Sequence, residues 1–80
     1  MDEILLRTRQ WIDRLLDSDD YEPRGKFICA DEVDGEDVWV AVDNSNGEAI
    51  TEEFTSRYAA TTWLRGRRIR NRFGEMLNAD

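Results

Sequence analysis

Lys26-Phe27-Ile28-Cys29-Ala30-Asp31-Glu32-Val33-Asp34-Gly35-Glu36-Asp37-Val38-Trp39-Val40-Ala41-Val42 is the stretch on which the fold turns. In its second half Val38, Val40 and Val42 fall on one side of an extended chain, with Trp39 and Ala41 on the other. That period of two is the mark of a strand. β-Branched and aromatic side chains also suit a pleated, half-buried surface. Asp34-Gly35 between two such runs signals a two-residue type I′ turn, whose central residues both take positive φ. A hairpin follows. Downstream, Asn44-Ser45-Asn46-Gly47 reads as a second turn, and Glu48 to Phe54 as a third strand. Residues 26–54 are therefore expected to form a three-stranded antiparallel meander. Ile50 and Phe54 are expected on the valine face, and Ala49, Thr51 and Glu53 on the Trp39 face.

Working towards the N-terminus, Ile4, Leu5, Thr8, Trp11, Ile12, Leu15 and Leu16 recur on one face at 100° per residue. This predicts a helix within residues 1–18, with Asp2 and Glu3 at the positive end of its dipole and Leu6 off the apolar face. Residues 19–25, which contain the single proline Pro23, read as a linker. Towards the C-terminus, Thr55 or Ser56 is placed to cap a helix. Tyr58, Ala59, Thr62, Trp63, Gly66, Ile69, Phe73, Met76 and Leu77 then recur at three- and four-residue spacing, predicting a long helix over 55–77. Gly66 reads as a close-packing position in it and Gly74 as its frayed end. The expected fold is α+β in one domain, 1–80: an N-terminal helix, a three-stranded antiparallel β-meander, and a long C-terminal helix packed on the sheet. The valine face is the expected seat of the C-terminal helix. The N-terminal helix either lies beside it, leaving Trp39 in solvent, or covers the opposite face and buries Trp39.

Composition narrows the chemistry. The chain has 80 residues with 11 Lys+Arg against 18 Asp+Glu, a net charge of −7, no histidine and one cysteine. Without histidine there is no Ser-His or Cys-His nucleophile and no His-ligated metal. Cys29 has no partner for a disulfide and reads as a buried small hydrophobe in a reducing compartment. No apolar run approaches the ~18 residues of a membrane span, and no signal-peptide pattern opens the sequence, so no membrane partner is expected. The glycines lack the spacings of a phosphate-binding loop. Asn44, Asn46, Gly47 and Glu53 coincide with four positions of a calcium-binding loop, but Val42 occupies the first position and cannot ligate. Neither a metal nor a cofactor is expected. A chain this short leaves little room for a small-molecule pocket of ~300 Å³, so enzyme activity is not expected either.

Charge is distributed in blocks: residues 1–20 carry −3, 21–54 carry −8 and 55–80 carry +4. Within the acidic block, Asp31, Glu32, Asp34, Glu36 and Asp37 place five carboxylates in seven residues around one hairpin tip. Carboxylates held on strands can imitate a phosphate array, which in DNA presents one charge per ~1.7 Å of axis. These five, supported by Glu52 and Glu53, are the candidate partner-binding surface, pairing with lysine and arginine of a target. Trp39 is a candidate aromatic anchor. The alternative is a nucleic-acid-binding accessory domain using Arg65, Arg67, Arg68, Arg70 and Arg72. On the expected helix Arg57, Arg65, Arg68 and Arg72 form one stripe, available to phosphates or to the chain's own acids. A charge of −7 opposes unassisted nucleic-acid capture, so direct binding is the less favoured reading. A third reading is a homodimeric structural protein joined through a leftover apolar face of the N-terminal helix, with Trp11 or Leu6 at the contact.

The segments Val38-Trp39-Val40-Ala41-Val42-Asp43-Asn44, Gly47-Glu48, Phe54-Thr55-Ser56 and Ala59-Ala60-Thr61-Thr62-Trp63-Leu64 set out a strand, a turn, a strand ending in phenylalanine and a capped helix with an aromatic. This layout, with small size and acidity, is similar to small phage-encoded proteins of the type I anti-CRISPR kind. The resemblance covers about half the chain and is architectural. Those proteins share no common motif, so no functional residue is carried over. The resemblance implies a non-catalytic inhibitor, in some cases a DNA mimic, acting in the cytoplasm of a bacterial host cell. Its partner would be a larger host protein or ribonucleoprotein with a basic surface, such as a CRISPR surveillance complex.

Overall fold

The computed structural model describes residues 3–77. Along the chain run β1 (Ile4–Leu6), α1 (Arg9–Asp17), β2 (Gly25–Val33), β3 (Glu36–Asn44), β4 (Ile50–Phe54), α2 (Arg57–Leu64), β5 (Ile69–Arg70) and β6 (Met76–Leu77). The β2–β3 hairpin forms as its turn chemistry dictates, with φ of +53° at Asp34 and +81° at Gly35. The two strands pair antiparallel from Gly25↔Asn44 to Val33↔Glu36. The class is α+β, but the sheet has four strands in the order β1-β2-β3-β4 and is mixed, not a three-stranded antiparallel meander.

The extra strand comes from the segment expected to open the N-terminal helix. Thr8 is the N-cap of α1; its hydroxyl accepts the Trp11 N–H at 3.1 Å. The helix therefore starts midway through the apolar pattern and is only nine residues long. Upstream, Ile4, Leu5 and Leu6 pair in parallel with Lys26, Phe27 and Ile28. Three consecutive apolar residues fit a buried strand as well as a helix. The edge of β2 tips the balance, because its backbone groups need partners. β1, α1 and β2 thus form a strand–helix–strand unit. No acidic residue lies in the first turn of α1. Glu3 precedes β1 instead, and Asp2 lies outside the described residues.

The expected long C-terminal helix over 55–77 does not form. Ser56 caps α2, accepting the Ala59 N–H at 3.1 Å, but α2 is only eight residues long. Gly66, at φ +84°, donates to Trp63 O at 2.9 Å, and Arg67 donates to Thr62 O at 3.2 Å. These two bonds are the Schellman termination, in which a glycine takes the left-handed position just past the helix. The chain then forms a second, two-stranded sheet from β5 and β6. Asn71 builds the turn between them: its Oδ1 accepts the Phe73 and Glu75 N–H groups, both at 3.0 Å. Gly74, at φ +81°, belongs to that turn and not to a frayed helix. The three- and four-residue spacing continues past Gly66 with no helix beneath it.

Gly66 makes a test of sign. Nothing lies within 4 Å of a Cβ built there, so only the backbone conformation resists a side chain. Gly66→Ala should destabilise the protein by about 1 kcal/mol, since non-glycine residues resist left-handed φ. Inside a helix the same change would stabilise by a similar amount. Urea unfolding distinguishes the two signs.

The helices cover opposite faces of the sheet. α1 seats Ile12 and Leu15 on Phe27, Cys29, Val38, Val40 and Val42. α2 seats Ala60 and Leu64 on Ile28, Ala41 and Phe54. The valine face therefore carries the N-terminal helix, not the C-terminal one. Phe54 lies opposite Trp39 and Ile50 opposite Asp43, so both belong to the Trp39 side. The expected pairing was off by one residue, which turns every side chain of β4 to the other face. α1 buries Ile12 and Leu15 on the valines and leaves Trp11 partly exposed. Leu6 lies on β1 and is half exposed.

One polar side chain belongs to the core. Asn44 is 0% exposed. Its Nδ2 donates to Tyr21 O (2.7 Å) and Pro23 O (2.9 Å), and its Oδ1 accepts the Ala49 N–H (3.0 Å). It ties the loop before β2 to the loop before β4. Cys29 is fully buried in the α1 layer. Burial pushes its thiol above the usual range, against a smaller opposing effect from Arg9. Less thiolate and no access predict that a water-soluble disulfide reagent labels Cys29 only after unfolding. Labelling of the native protein at the denatured rate would contradict this placement. Among the described residues no helix is long and apolar enough to cross a membrane.

Candidate functional site: the acidic hairpin

The tip of the β2–β3 hairpin is where the sequence concentrates carboxylates, and the register fixes how they point. Asp31 pairs with Val38 and Val33 with Glu36, so Asp31 and Glu36 project on the α1 side. Glu32 pairs with Asp37, and both project on the α2 side, where Trp39 also lies. Asp34 sits in the turn itself. The acids therefore wrap around the end of the hairpin instead of forming one flat face.

Their partners separate them further. Arg9 reaches Asp31 at 3.7 Å while also pairing with Asp13 at 3.0 Å. Asp31 in turn accepts the Glu32 N–H through Oδ1 at 2.8 Å. Glu32, Asp34, Glu36 and Asp37 are exposed, and among the described residues none of them forms an ion pair. Glu32 directly opposite Asp37 sets like charges across the ladder, an arrangement that costs up to about 1 kcal/mol.

Glu52 and Glu53, expected to support this surface, are used within the fold. Glu52 accepts from Asn71 Nδ2 at 3.3 Å. Glu53 pairs with Arg72 at 3.3 Å, and its carbonyl accepts the Arg72 N–H at 2.7 Å. They project to opposite sides of β4, away from the hairpin tip. Trp39 is half-buried, with the Arg57 guanidinium 5.7 Å from its ring centre. It is neither bare nor fully covered. The Arg57 contact was not legible in the sequence, because it depends on which face α2 takes.

The arginine stripe does not exist as a stripe. It required a helix through residue 72, and α2 ends at Leu64. Arg65 caps α2, Arg67 and Arg68 follow the Schellman turn, Arg70 lies on β5 and Arg72 in the turn after it. Arg70 donates to Gly74 O at 2.8 Å. Arg72 is held by Glu53 and lies 4.8 Å over the Phe73 ring, with its Nη1 buried and without a hydrogen-bond partner among the described residues. Arg65, Arg67 and Arg68 are exposed, with no ion pair among the described residues.

Two open grooves exceed the room expected of so short a chain. One, of about 580 Å³, is lined by Leu6, Arg7, Thr8, Arg9, Trp11 and Ala30. Another, of about 380 Å³, lies between the end of α2 and β4, with Lys26, Asp43, Glu52, Trp63 and Leu77 among its lining. Among the described residues no three His, Cys, Asp or Glu side chains gather to hold a metal ion. Comparison with protein-family models, with curated proteins and with solved structures gave no match to this chain.

Proposed function

We propose that this chain is a non-catalytic binding protein whose acidic hairpin occupies the basic, nucleic-acid-binding surface of a larger partner. One observation carries the reading: Glu32, Asp34, Glu36 and Asp37 stand exposed around a two-residue turn with no ion pair among the described residues, and two of them are directly opposed. Folding alone disfavours that arrangement, and lysines or arginines of a partner would relieve it. The hairpin backbone is pinned by its ladder, so the charges are presented with little conformational entropy to lose. A CRISPR surveillance complex in a bacterial host is the most concrete partner of this chemistry, in the manner of the small phage-encoded inhibitors that the layout resembles.

The second reading, a nucleic-acid-binding accessory domain, is favoured by Arg65, Arg67 and Arg68, exposed and without an ion pair among the described residues. It predicts that the protein alone shifts DNA or RNA in a gel. The proposal predicts no shift at physiological salt, because a protein charged −7 repels a polyanion. A shift by the wild-type protein that survives reversal of the hairpin charges would overturn the proposal.

A further inference from the structure

The register of β1 stops short of the β2 hairpin. β1 pairs with Lys26 to Ile28 only, and the chain then leaves through Thr8 into α1. Arg7 donates its N–H to Ile28 O at 2.8 Å, so Ile28 turns its backbone groups towards the β1 side. Backbone direction alternates along a strand, so Ala30 and Glu32 turn theirs the same way. Among the described residues no strand lies there. On each outer edge of the sheet one carbonyl is already taken. Leu6 O accepts from the Arg7 guanidinium at 2.9 Å, and Glu53 O on β4 accepts from Arg72. The Glu32 N–H is taken by Asp31. Among the described residues, what remains open along this edge of β2 is the N–H and C=O of Ala30 and the C=O of Glu32, beside the groove lined by Leu6, Arg7, Thr8, Arg9, Trp11 and Ala30.

We propose that this open edge of β2 receives an extended peptide segment of the partner, in which lysine or arginine alternates with apolar residues. Main-chain bonds to Ala30 and Glu32 supply the seat, as in β-strand addition generally. Alternate side chains then point to opposite faces. One set meets Glu32, with Asp37 directly across from it, and is cationic. The other falls on the α1 side beside Trp11 and Val33, where Arg9 already holds Asp31 and Arg7 lies over Trp11, so it needs no cation and is apolar. A second copy of this chain does not fit, because self-pairing along β2 sets Asp31 and Glu32 against the same acids of the copy. The inference rests on reading the acidic hairpin as a surface for a basic partner, and adds where and how that partner is held.

The probe is a fluorescent octapeptide of alternating lysine and valine, with binding read by anisotropy at low salt. Ala30→Pro removes the edge N–H at a position where proline is tolerated. It should weaken binding about tenfold, the worth of one main-chain hydrogen bond. The same peptide N-methylated on alternate amides tests the seat without touching the protein, and should bind as weakly. Undiminished binding in both arms would mean attraction by charge alone; it would overturn the inference and leave the hairpin reading standing. Absence of any binding by the unmodified peptide would also overturn the inference. The hairpin reading is judged separately, by reversing the tip charges.

Discussion

Replacing Asn44 with alanine is expected to lower the unfolding free energy by about 3 kcal/mol. The side chain is fully buried and uses both donors and its acceptor on three different residues: Tyr21, Pro23 and Ala49. Each bond contributes about 1 kcal/mol net, and each partner left behind keeps an unsatisfied polar group. A domain of this size holds only some 5–10 kcal/mol in total, so the loss is a large fraction of its stability. Asn44→Asp should be no milder. An ionised carboxylate keeps the acceptor for Ala49 but turns a charge towards the Tyr21 and Pro23 carbonyls. Urea unfolding followed by tryptophan fluorescence measures both variants. A loss under about 1 kcal/mol for the alanine variant would mean that the loops find other anchors.

Asn44 also illustrates what the sequence could and could not disclose. The hairpin was legible because every signal for it is local: alternation in Val38 to Val42 and turn chemistry at Asp34-Gly35. The partners of Asn44 lie on two separate loops, and no pattern announces them. β1 was hidden for the same reason, since parallel pairing with β2 joins residues about twenty positions apart. Thr8 was the available clue, a capping residue in the middle of an apparent helix. Gly66 was a clue as well, since glycine is the usual residue just past a helix end. Periodicity outweighed it, and the arginine stripe built on that periodicity went with it. Of the candidate surface, the position of Asp31 to Asp37 around one tip was readable. The diversion of Glu52 and Glu53 was not, because Asn71 and Arg72 reach them only through the β5–β6 turn.

Reversing Asp34, Glu36 and Asp37 to lysine should weaken partner binding about a hundredfold or more. Three attractions become three repulsions at the positions most exposed to a basic surface. The fold should be indifferent. All three side chains are exposed, and a lysine at position 37 replaces a like-charge neighbour of Glu32 with an opposite one. The melting temperature should hold or rise slightly. Wild-type binding should itself fall as salt rises, because exposed charges are screened beyond a Debye length of ~8 Å at physiological ionic strength. A matched variant, Arg65→Ala with Arg67→Ala and Arg68→Ala, removes the exposed cations and leaves the hairpin untouched.

The most direct measurement is capture from a bacterial lysate with these three proteins side by side, each then washed with duplex DNA. The wild type and the arginine variant should retain the same nucleic-acid-binding protein and release it to the DNA, while the hairpin variant should retain none. Capture that persists in the hairpin variant and is lost in the arginine variant would contradict the hairpin reading.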